Sequence, residues 1–166
     1  MSSGECPDMY SSWSGGPMYE YIDSGFAQPI DDLLDQSDVK DKLLDAAIEQ
    51  GSYNGHVYAI PYLNVSLAGI YNKDMFEQYG LEEPKTLADL ENICATLKEN
   101  GITPFALANG SKWTGSMYFM SLAARYGGLE PFQNAVAGTG KFTDDCFIKA
   151  GEKIQEWVNN GYFPDG

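Results

Sequence analysis

Apolar residues along this chain recur mostly at the period of an α-helix. Leu87, Leu90, Ile93, Cys94 and Leu97 form one stripe, and Gly101 stops it. Thr86 stands before the stripe as an N-cap, with Asp89 three residues on, an acidic variant of the capping box. A last helix is predicted from about Thr143, with Phe147, Ala150, Ile154, Trp157 and Val158 on its buried face and Asn160-Gly161 at its end. Val39 to Gln50 reads as a single amphipathic helix that turns Leu43, Leu44, Ala47 and Ile48 inward and ends at Gly51. Shorter helical runs start at Pro17, with Met18, Tyr21 and Ile22 at helical spacing until Gly25, and at Lys73, closed by Gly80. A further run covers roughly Gly115 to Tyr126.

Other segments carry strand character. Asp8 to Trp13, Val57 to Ile60 and Pro104 to Ala108 are predicted as strands. Asn54-Gly55 is a tight-turn signal, because both residues tolerate the positive φ angles of a type I′ hairpin. From Tyr62 to Asn72 the chain is nearly uncharged and reads as one extended segment. Strands alternating with helices point to an α/β architecture, which by itself assigns no function.

Charge narrows the range of partners. A formal net charge of -14 repels nucleic acid and anionic membrane surfaces. No run of eighteen apolar residues is present, and the opening Met1-Ser2-Ser3-Gly4-Glu5 lacks the basic end and apolar core of a signal peptide. Cys6, Cys94 and Cys146 are far apart, with no CxxC pair, and His56 is the sole histidine, so close neighbours cannot assemble a zinc-type cluster. The thiols read as buried or incidental, and neither metal nor cofactor is expected.

Three stretches carry a resemblance. The first is Pro7-Asp8-Met9-Tyr10, then Ser12-Trp13-Ser14-Gly15-Gly16 and Ser24-Gly25. The second is Gly55-His56-Val57-Tyr58-Ala59-Ile60-Pro61-Tyr62, leading to Ile70-Tyr71-Asn72-Lys73-Asp74-Met75-Phe76. The third is Pro84-Lys85-Thr86-Leu87-Ala88-Asp89-Leu90, then Lys98 to Ala106, and the closing Asn159 to Pro164 also fits. In this order they resemble family 1 extracellular solute-binding proteins, the maltose-binding-protein-like group, with His56 where Lys is usual and Leu87-Ala88-Asp89 for Trp-Asp-Glu.

The resemblance implies an α/β, periplasmic-binding-protein-like (type II) two-lobe clamp, incomplete in this chain. Residues 1–62 would be a partial first lobe without its N-terminal βαβ unit, 63–67 an inter-lobe crossing, and 68–166 a partial second lobe. Family members run to well over twice this length, so the chain is expected to be a fragment, marginally stable alone, prone to self-association and poor at binding sugar. The implied function is the receptor of an ABC importer, which captures a small solute in the cleft and passes it to permease subunits without chemistry. Such a protein works outside the cytoplasm, either free in the periplasm or lipid-anchored at the outer face of the membrane.

The resemblance implies that Trp13 with its neighbours, and the loop that carries Trp113, meet the ligand, and what sugars need fits those residues. Sugar C–H faces stack on aromatic rings, and sugar hydroxyls need short polar partners and backbone amides. Ser12, Trp13, Ser14 and Gly15 supply both at a predicted strand end, and Tyr62 and Asn64 flank the proposed crossing. Trp113 follows the polar, Gly-containing Asn109-Gly110-Ser111-Lys112 loop, where function concentrates. Trp13 and Trp113 are expected to face one cleft, one from each lobe. Trp157 lies on an apolar helix stripe and is assigned to the core.

No catalytic residue is assigned. Asp31-Asp32 and Asp144-Asp145 read as helix-start charges, Asp8 as structural and His56 as an exposed turn residue. Two other functions stay open at this point: a solute-binding-like sensor feeding a signalling partner, and an enzyme acting on carbohydrate. Peptides and polyamines are also bound by related clamps.

Overall fold

The computed structural model describes residues 6–165. The chain divides into two compact units, Met1–Ser66 and Leu67–Gly166.

The first unit is assembled from short pieces. Helix α1 (Gly16–Asp23) starts with Pro17 in its first turn, where the missing N–H costs nothing, and buries Met18. Helix α2 (Asp31–Asp35) buries Leu34 and opens with two aspartates that suit the positive end of its dipole. The single helix expected over Val39 to Gln50 is instead broken. A 3-10 turn at Lys40–Lys42 gives way to extended backbone at Leu43 and Leu44, and only then does α3 (Asp45–Gln50) begin. Leu44, expected inward, is exposed. Helical periodicity alone did not distinguish an interrupted helix from a continuous one.

Strands β1 (Ser52–Tyr53) and β2 (His56–Val57) form a two-residue antiparallel hairpin that pairs Ser52 with Val57 and Tyr53 with His56. Its turn has φ of 50° at Asn54 and 83° at Gly55, the type I′ pattern predicted from Asn-Gly. Asp31 ties α2 to the hairpin: Oδ1 accepts from Val57 N–H at 3.2 Å, and Oδ2 lies 3.2 Å from His56 Nδ1. The Val57 hydrogen bond, followed by the one with His56, holds the Asp31 carboxyl below its usual range.

The second unit has a continuous core. Helix α4 (Lys73–Gln78) is capped by the Asn72 side chain, which accepts from Met75 N–H. Helix α5 (Leu87–Glu99) carries the full capping box: Asp89 N–H donates to Thr86 Oγ1, and Thr86 N–H donates to Asp89 Oδ2. Helices α6 (Trp113–Gly127), α7 (Glu130–Val136) and α8 (Asp145–Asn159) follow. Cys94 of α5, Leu122 and Ala123 of α6, and Cys146, Phe147, Ala150 and Trp157 of α8 pack into one cluster with Tyr162. Val158, expected on the buried face of α8, is exposed.

Polar groups reinforce the α5–α8 contact. Glu91 Oε1 accepts from Lys153 Nζ at 2.7 Å and from Trp157 Nε1 at 3.2 Å, while Lys153 also reaches Glu156 at 2.7 Å. Burial pushes the Glu91 carboxyl up, but the hydrogen bonds from Lys153 and Trp157 outweigh it, so its pKa lies below the usual value. Hydrogen bonds to Glu156 and Glu91 raise that of Lys153.

Asp8 to Trp13, Ala59-Ile60 and Pro104 to Ala108 do not form strands among the described residues. A strand is a paired structure, and none of these segments has a ladder partner there. Phe105 N–H makes one isolated bond to Tyr162 O at 2.9 Å.

Candidate functional site

In the first unit, the Ser12-Trp13-Ser14-Gly15 segment leads directly into α1. Gly15 adopts φ 76°, ψ -144°, a conformation favouring glycine, and its carbonyl accepts from Met18 N–H and Tyr19 N–H to start the helix. Trp13, two residues before it, is 77% exposed. Ser12 Oγ donates to Trp13 O at 3.1 Å.

Tyr62 is 78% exposed, and its hydroxyl lies 2.7 Å from Ser11 Oγ. This bond joins the neighbour of Ser12 to the ring that begins the extended segment. Fifty-one residues separate the pair in sequence, so no local pattern signals it, and Ser11 was missed as a candidate. Tyr62 and Asn64 share a concavity of about 190 Å³ with Lys42, Leu44, Ala47 and Pro61, among others. Lys42 is paired with Asp38 at 2.7 Å, which offsets its charge.

In the second unit, Trp113 is the first residue of α6 and is 59% exposed. Trp157, the residue assigned to the core, is 2% exposed. The loop before Trp113 is a 3-10 turn at Asn109–Ser111 followed by Lys112 at φ 66°. Asn109 Oδ1 accepts from Gly115 N–H at 3.0 Å, and Thr114 Oγ1 donates to Ala108 O at 2.6 Å. Sequence reasoning noted the polar loop but not Asn109 as the group that closes it.

A second, larger concavity of about 330 Å³ lies at the acidic start of α5, lined by Glu82, Glu83, Lys85, Asp89, Asn92 and Ile93. It shares no residue with the candidates and offers no aromatic ring. The size of a hollow is a poorer guide here than the chemistry of its lining. The described residues include no group of three or more His, Cys, Asp or Glu able to hold a metal ion, and no helix long and apolar enough to cross a membrane.

Exposed Trp13, Tyr62 and Trp113 beside Ser, Asn and backbone amides offer surfaces suited to a ligand with both apolar faces and hydroxyls. The family described as bacterial extracellular solute-binding protein matches residues 1–164. An uncharacterized ABC transporter extracellular-binding protein of Pyrococcus horikoshii is 32% identical over 162 residues, covering 95% of this chain and 36% of its own length. The maltotriose-binding protein of Pyrococcus abyssi is 28% identical over 127 residues, 76% of this chain and 26% of its own. A solved structure from work on xylan utilization by Caldanaerobius polysaccharolyticus superimposes with a TM-score of 0.85 at 31% identity, over 99% of this chain and 42% of that one. The chain thus spans roughly a quarter to two-fifths of the length of these relatives. Its fold is the periplasmic-binding-protein-like (type II) α/β fold in part, and the chain belongs to the bacterial extracellular solute-binding protein family.

Proposed function

We propose that this chain is part of the extracytoplasmic receptor of an ABC importer and that its solute is a sugar or oligosaccharide. The observation that carries the reading is the partition of its aromatic residues. Trp157 is packed in the core, whereas Trp13 and Trp113 stand exposed between polar neighbours and Tyr62 stands exposed with its hydroxyl on Ser11. An exposed ring offers a face on which the C–H groups of a sugar can stack. Relatives named for maltotriose binding and for ABC transport support the same reading.

The first unit, as the partial first lobe, would contribute Ser12, Trp13, Ser14, Gly15, Tyr62 and Asn64 to the ligand, and the second would contribute Trp113. The crossing between lobes is assigned to residues 63–67. Permease subunits are the expected macromolecular partners, and a location outside the cytoplasm follows from the same role. Binding without chemistry is the proposed activity. Asp31 and Asp32 open a helix, Asp89 caps another, and Glu91 pairs with Lys153.

Titration calorimetry of the complete protein with maltotriose and xylotriose tests the proposal. Trp113→Ala should weaken binding by about fivefold or more, with the melting temperature nearly unchanged. Binding unaffected by Trp113→Ala, Trp13→Ala and Tyr62→Phe together, or sugar hydrolysed during the titration, would overturn it.

A further inference from the structure

The loop before Trp113 is more elaborate than a connection requires. Lys112 stands at φ 66°, a region that residues with a Cβ rarely occupy, and it does so as the N-cap of α6. Its side chain makes no capping bond, so the strain is not offset at Lys112 itself. The neighbouring bonds hold it in place. Lys112 N–H donates to Asn109 O at 2.8 Å. The Asn109 side chain then reaches over the turn and accepts the Gly115 N–H at 3.0 Å. Thr114, on the near side, has a single hydroxyl proton, and its 2.6 Å contact with Ala108 O takes it. Ser116 Oγ in turn donates to Trp113 O at 2.6 Å.

The fit at the clasp is close. A Cβ added at Gly115 would lie 2.7 Å from Asn109 Oδ1, so only glycine leaves room for this contact. A backbone bond on one side and side-chain bonds on the other thus hold the residues around Trp113, while its ring remains 59% exposed. An exposed side chain on a fixed backbone has fewer conformations to lose when it stacks on a ligand.

We propose that Asn109 is a positioning residue for ligand capture, and that its bond to Gly115 N–H sets the direction in which α6 presents Trp113. The inference rests on the reading of Trp113 as a ligand-facing ring, but the clasp itself is testable without any ligand.

In the complete protein, tryptophan is replaced by 5-fluorotryptophan, and the ¹⁹F signals of Trp13, Trp113 and Trp157 are assigned by single Trp→Phe changes. Asn109→Ala should move or broaden the Trp113 signal and leave those of Trp157 and Trp13 in place. Asn109→Asp, which keeps an acceptor oxygen, should restore the Trp113 signal. Gly115→Ala approaches the same bond from the other side and should reproduce the effect of Asn109→Ala. Maltotriose affinity should fall by about three- to tenfold in Asn109→Ala, the loss of one hydrogen bond's worth of ordering, and recover in Asn109→Asp. A Trp113 signal that neither Asn109→Ala nor Gly115→Ala alters would overturn the proposal, as would an Asn109→Asp that behaves like Asn109→Ala. Failure of the receptor reading looks different: Trp113→Ala then leaves maltotriose binding unaltered while the fluorine signals still report the clasp.

Discussion

The second unit buries Ile93, Cys94, Leu97, Leu122, Phe147 and Trp157, all from long helices that present apolar stripes. The first unit buries Met18 and Leu34 and otherwise relies on contacts between short elements. Among these are the Tyr19–Tyr53 stack with centroids 4.2 Å apart, the Asp31 bonds to Val57 and His56, and the Ser11–Tyr62 bond. Apolar burial is the dominant favourable term in folding, whereas exposed polar ties contribute little net. The two units therefore differ in the source of their stability as well as in its amount.

Trp157→Ala should break the second unit most severely. It empties a fully packed indole site and frees the Glu91 acceptor, at a cost of about 3–5 kcal/mol. Leu34→Ala in the first unit should fall near the low end for leucine, about 2 kcal/mol, because few buried neighbours surround it. Hydrogen exchange read unit by unit checks the contrast, and equal losses would erase it.

The Glu91–Lys153–Trp157 network sharpens the contrast through pH. Glu91→Gln should cost about 1–2 kcal/mol, since one acceptor serves two buried-side donors. The folded Glu91 value lies below the unfolded one of about 4.3, so its stabilisation is present above that pH and fades as pH falls through the lowered folded value. Lys153 has the opposite sign: its contribution is complete below about pH 10.4 and is lost as pH rises through the raised folded value. Between those limits the network should be insensitive to pH. Acid unfolding monitored at α5 and α8 should lose part of its steepness in Glu91→Gln.

The smallest expected effect is at the start of α5. Thr86→Ala removes the acceptor for Asp89 N–H and should cost about 1 kcal/mol. Faster amide exchange confined to the first turn, with the Cys94–Trp157 packing intact, is the expected signature.

What the sequence revealed follows the range of the interaction. The Thr86–Asp89 box, the Asn54-Gly55 turn and the α5 and α8 stripes are encoded within a few residues, and each appears in the structure. The strands expected around Tyr10, Ala59 and Phe105 depend on distant partners, and extended backbone without a partner forms no ladder. Helix α7 was missed because its apolar positions, Phe132, Ala135 and Val136, are too few to set a period. At the candidate site, the aromatic rings and their polar neighbours were legible as residue types. The Ser11–Tyr62 bond and the Asn109–Gly115 clasp were not, since each depends on a fold that brings particular atoms together.

The free cysteines lend the two units a chemical clock. Cys6 is exposed, while Cys94 is 1% exposed and burial, aided by the charge of Glu91, pushes its thiol up to about 11. A thiolate is the species that alkylating reagents attack, so Cys94 is shielded both by packing and by its proton. Alkylation at Cys6 thus marks time zero, and the delay before Cys94 is modified measures how often α5 and α8 part company.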